Sequence, residues 1–70
     1  MRKLLLAAAH KQARVLLRPN WTLQTEHITN DKVVVTYGVT TNGRESGVEV
    51  TTCHNRSVWE DGVTTTYRVF

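Results

Sequence analysis

Lys32-Val33-Val34-Val35-Thr36-Tyr37-Gly38-Val39-Thr40-Thr41, then Asn42-Gly43, then Arg44-Glu45-Ser46-Gly47-Val48-Glu49-Val50-Thr51-Thr52-Cys53 is the stretch whose reading decides the fold. Both flanks are rich in valine and threonine, which are branched at Cβ and suit a pleated strand. Asn-Gly between them supplies the two positive-φ positions of a type I′ turn, so the stretch reads as a two-residue hairpin. That turn sets Tyr37 opposite Val48, Val35 opposite Val50 and Val33 opposite Thr52. Side chains alternate across a strand, so the apolar members of these pairs share one face.

The same grammar extends in both directions. After Asn20 the chain holds eleven threonines and nine valines. Turn signals at Thr29-Asn30-Asp31, His54-Asn55-Arg56 and Asp61-Gly62 divide the rest. Strands are expected at about 21–28, 32–41, 44–53, 57–60 and 63–69. Their short connections make neighbours antiparallel. A loop at 29–31 sets Leu23 opposite Tyr37 and Trp21 opposite Val39, and the Asp61-Gly62 turn sets Val58 opposite Thr65. One face then collects Trp21, Leu23, Val33, Val35, Tyr37, Val39, Val48, Val50, Val58, Val63, Tyr67 and Val69, with His27 at its end. The other carries Thr22, Gln24, Glu26, Ile28, Val34, Thr36, Thr40, Glu49, Thr51, Cys53, Trp59, Thr64, Thr66, Arg68 and Phe70.

Residues 3–17 follow a different period. They are rich in Leu, Ala, Lys, Gln and Arg and contain no Gly or Pro, which suits a helix. Arg18 precedes Pro19, and the residue before proline avoids helical geometry, so the helix stops there. Leu5, Leu6, Ala9, Ala13, Leu16 and Leu17 gather on one side at 3.6 residues per turn. Lys3, His10, Lys11, Arg14 and Arg18 gather on the other. The expected fold is therefore α+β in a single domain spanning 1–70. It has one N-terminal amphipathic helix packed on a four- to five-stranded antiparallel β-meander.

Charge divides along the same line. The first eighteen residues carry Arg2, Lys3, Lys11, Arg14 and Arg18 with no acid, and the remainder sets four basic residues against six acidic ones. The formal net charge of +3 is thus +5 on the helix and −2 on the sheet. With 70 residues the chain has a small core, and one cysteine, Cys53, rules out an internal disulfide. The apolar run Leu4–Ala9 is shorter than a signal-peptide core and far shorter than a membrane span, which points to a cytoplasmic protein.

Motifs for catalysis are missing from the sequence. Cys53 and His54 are adjacent in an expected strand and point to opposite faces, so they form no nucleophile–base pair. No metal-ligand spacing and no glycine-rich phosphate loop occurs, so neither an enzyme nor a cofactor is expected. What remains is binding. The favoured expectation is a small protein-binding accessory or inhibitor factor, of the size that phages and mobile elements carry. Its partner-binding sheet face would use Val34, Trp59, Arg68 and Phe70, beside the basic helix face of Lys3, His10, Lys11, Arg14 and Arg18. The partner would be another protein or a second copy of the chain, with no membrane involved. The alternative is nucleic-acid binding, with phosphates held by Lys3, Lys11, Arg14 and Arg18.

Overall fold

The computed structural model describes residues 2–55 and 62–70. Helix α1 (Arg2–Leu16) is followed by strands β1 (Thr22–Ile28), β2 (Lys32–Thr41), β3 (Arg44–Asn55) and β4 (Gly62–Val69). The strands form one antiparallel sheet in the order β1-β2-β3-β4, with the helix packed on one face. This is the expected α+β arrangement of one N-terminal helix on a β-meander.

The β2–β3 hairpin follows from its turn. Asn42 and Gly43 have φ of 52° and 78°, the left-handed pair that a type I′ turn requires. Tyr37 faces Val48, Val35 faces Val50 and Val33 faces Thr52, as that turn demands. Val33, Val35, Val48 and Val50 are fully buried, and α1 lies over them. Its contacting stripe is Leu5, Ala9 and Ala13, at i, i+4 and i+8. The two alanines let the helix backbone settle close to the valines, while Leu5 fills the core between them. Thr52 is a buried polar residue on this face, and its hydroxyl donates to the Leu5 carbonyl at 2.8 Å. A buried hydroxyl without such a partner would cost about 1–3 kcal/mol.

The helix ends where proline requires. Pro19 occupies the second position of a turn closed by the Trp21 amide donating to the Arg18 carbonyl at 3.0 Å. The reversal drops Trp21 into the core with 8% of its surface exposed. Arg18 is carried over the indole ring, 5.7 Å from its centroid, a cation–π contact.

Strand pairing departs from expectation in two places. Leu23 does face Tyr37, but the register shifts between Leu23 and Thr25, so Gln24 is the extra residue of a β-bulge. Beyond it Glu26 faces Val35 and Ile28 faces Val33, which moves both to the helix side and sends His27, opposite Val34, to the open side. The Gln24 amide donates to the Gly38 carbonyl at 2.9 Å, which anchors the bulge.

At the other end β3 runs on to Asn55 and pairs directly with β4, so Thr65 faces Thr52 and not Val58. The expected strand 57–60, with Val58 and Trp59, lies outside the described residues. Val63, Tyr67 and Val69 keep their expected face, opposite His54, Val50 and Val48. The helix does not reach all of that face. Leu23, Tyr67 and Val69 are exposed, as is Leu17 past the helix end.

Candidate functional site

One helix cannot cover two faces of a sheet, and the face opposite α1 has no element over it among the described residues. Register orders that open face in rows running across the strands. Gly38, Gly47 and Phe70 form one row; Thr25, Thr36, Glu49 and Arg68 the next; His27, Val34, Thr51 and Thr66 the third. Val34, Arg68 and Phe70 therefore share the face, as expected, in three successive rows.

The glycine row shapes the surface. Gly38 and Gly47 face each other across β2 and β3, and both are buried. A Cβ at Gly38 would stand 2.5 Å from the Ser46 carbonyl oxygen, and one at Gly47 would stand 2.2 Å from that of Tyr37. Real Cβ atoms do not come so near, so any other residue at either position would force the β2 and β3 backbones to shift. Phe70 extends β4 by one pair, exchanging two 2.9 Å backbone hydrogen bonds with Gly47. Its ring then lies over Gly47, with Cζ 3.1 Å from the place a Cβ would occupy. Gly38 keeps no such cover. A groove of about 250 Å³ opens there, bounded by Gln24, Thr36, Thr40, Glu45, Ser46 and Phe70. Its walls offer hydroxyl, amide and carboxylate groups beside Gly38, with one aromatic edge.

Arg68 is solvent-exposed and meets Glu49 at 3.8 Å, a loose surface ion pair of little energetic weight. Val34 is half-buried among threonines, Cys53 is a half-buried free thiol, and Phe70 is 43% exposed. Trp59 lies outside the described residues.

The basic helix face is corrected at two residues: Arg18 lies past the end of α1, over the Trp21 ring, and His10 leaves the solvent side. Lys3, Lys11, Arg14 and Arg18 are exposed, but His10 turns toward the sheet. Its Nδ1 lies 2.6 Å from the Tyr37 hydroxyl and its Nε2 2.7 Å from Glu26 Oε2, with the imidazole edge-on to the Tyr37 ring. A neutral imidazole accepts from Tyr37 and donates to Glu26; an imidazolium donates to both, and the phenol oxygen accepts. The contact holds in either charge state, so it is a latch joining α1 to the sheet. His10 is four residues after Leu6 and three before Ala13, both packed on the core, and that spacing was the available signal for it. Glu26 had no comparable signal, because the bulge at Gln24 decides its face.

Among the described residues no three His, Cys, Asp or Glu side chains come together as a metal site. No described helix is long and apolar enough to cross a membrane. Two other hollows, both open to solvent, lie along the helix flank at Lys3, Leu6, Ala7, His10 and Arg14 and at the sheet end between Arg18 and Phe70. The chain matches no protein-family model, no curated protein and no solved structure.

Proposed function

We propose that this chain is a non-enzymatic protein-binding module, an accessory or inhibitor factor that contacts its partner through the open sheet face. The observation that carries the reading is the groove over Gly38. A solvated threonine face needs no glycine at its centre, whereas a surface that receives a partner's side chain gains depth from one such as Gly38. Phe70 supplies an aromatic wall and Arg68 lies one row away, and residues of these two kinds are enriched among interface anchors. Polar groups around the groove orient what enters it, which favours a specific partner over general adhesion.

A second reading rests on a separate observation. Lys3, Lys11, Arg14 and Arg18 are all exposed, and no described carboxylate pairs with any of them. Three exposed cations along one helix, with Arg18 just past its end over Trp21, suit phosphate contact, with affinity falling steeply as salt rises.

Affinity capture from cells that carry this chain separates the two. The protein-binding reading expects a partner that survives nuclease treatment, is lost with Thr36→Lys or Phe70→Ala, and is kept with Lys11→Glu/Arg14→Glu. Loss of all captured material on nuclease treatment, or with the helix double variant, would overturn it in favour of nucleic acid.

A further inference from the structure

We infer that β4 is a self-pairing edge, through which two copies of this chain join their sheets into one continuous eight-stranded sheet. This goes beyond the open-face reading and stands independently of it.

The backbone sets the pattern. Phe70 and Gly47 exchange both hydrogen bonds, and the β3–β4 register then runs unbroken from Val48/Val69 to Asn55/Gly62. Bonded and non-bonded pairs alternate in an antiparallel ladder. Arg68, Thr66 and Thr64 therefore bond inward to β3, whereas Val63, Thr65, Tyr67 and Val69 direct their N–H and C=O groups away from it. No described strand pairs with that outer side. The two edges of the sheet also differ. β1 is blunted by its bulge and by the inward-facing carboxylate of Glu26, two devices that discourage pairing. β4 has no bulge, no proline and a single charge, Arg68.

The outward set is self-complementary. A two-fold axis through Thr66 places Val63 opposite the partner's Val69 and Thr65 opposite the partner's Tyr67, each as a bonded pair. Every outward N–H and C=O of the four residues then finds a mate. The side chains of those pairs lie on the helix side, where Tyr67 and Val69 are 56% and 57% exposed. Aromatic and β-branched neighbours across strands are favourable pairs. Arg68 meets the partner's Thr64, so no like charges are opposed. The two basic helices lie on the same side of the joined sheet, about 19 Å apart at the usual strand spacing. That is more than twice the ~8 Å screening length at physiological salt, so their repulsion is weak. An eight-residue edge is smaller than a standard interface of roughly 800 Å² per partner, and the pair is therefore reversible and concentration-dependent.

Sedimentation of the full chain over a concentration series tests this. The expected mass rises from 8.0 kDa toward twice that value. Two folded variants are expected to stay at the lower mass: Thr65→Pro, which removes an outward N–H not used by β3, and Tyr67→Lys, which sets a charge on the exposed side of the edge. In a Cys53→Ser background, Thr66→Cys is expected to form an interchain disulfide on mild oxidation, because a non-bonded pair places Cα atoms about 4.5 Å apart. Arg68→Cys is expected not to. A wild-type mass that stays at 8.0 kDa up to about 1 mM overturns the proposal. So does a dimer that persists in Tyr67→Lys, or equal cross-linking at positions 66 and 68.

Discussion

The two faces of this sheet are made from the same strands and differ in almost everything else. On one, valines alternate with the pleat and meet the Leu5, Ala9 and Ala13 stripe of α1, giving the buried core. On the other, threonines, two paired glycines and Phe70 face outward, with a groove over Gly38. The first face carries stability and the second carries shape. The comparison teaches that a chain this small concentrates its buried apolar residues in a single layer, and among the described residues the opposite sheet face has no element over it. Polar threonine keeps that face soluble, and cross-strand glycine gives it relief.

The glycine row is where the division is not clean, and it yields the largest expected effect. Gly47→Ala places a Cβ against the Tyr37 carbonyl and the Gly38 backbone, and none of these atoms belongs to a side chain that can swing aside. Loss of cooperative thermal unfolding is expected, read by circular dichroism. A cooperative transition near the wild-type midpoint would mean that the row is permissive and its glycines are incidental.

Leu5→Ala is next. It removes the largest buried side chain of the helix stripe and should cost about 2–5 kcal/mol, measured by urea denaturation. A domain of this length holds only about 4–10 kcal/mol in total, so a large unfolded fraction is expected at room temperature. A cost under about 1 kcal/mol would show that the helix contributes little and that the two faces are energetically alike.

His10→Ala cuts the latch to Tyr37 and Glu26 at a partly exposed site, and about 1 kcal/mol is expected. If the latch holds the helix margin to β1, amide exchange should quicken in β1 more than in β3. Uniform quickening would make His10 a general packing residue. Smallest is Thr36→Lys on the open face, expected to shift stability by no more than about 0.5 kcal/mol. A shift as large as that of Leu5→Ala would erase the distinction between the faces.

How much of this was legible in the sequence depended on the range of the interaction that decided each element. The hairpin was legible because Asn42-Gly43 and its flanking strands are contiguous, and turn geometry transmits register along the whole ladder. The helix was legible from Leu5 to Ala13 because its period is local. The bulge was not, since Gln24 reaches a carbonyl on the neighbouring strand and nothing in its own vicinity announces that. The fate of Glu26 and His27 followed from it. Asp61-Gly62 read as a two-residue hairpin, yet β3 continues past Cys53 and takes β4 as its direct neighbour. Of the candidate site, Val34, Arg68 and Phe70 were legible by alternation. The groove was not, because it depends on Gly38 and Gly47 meeting across two strands.

The most direct test of the open face as the contact surface is site-specific photo-cross-linking inside cells that carry this chain. A photoreactive residue is placed at Thr36, beside the groove, and in a second protein at Lys11, on the outside of the helix. The expected result is a discrete protein adduct from position 36 and none from position 11. Adducts from position 11 alone, or nucleic acid as the cross-linked species, would contradict the account and move the function to the basic helix.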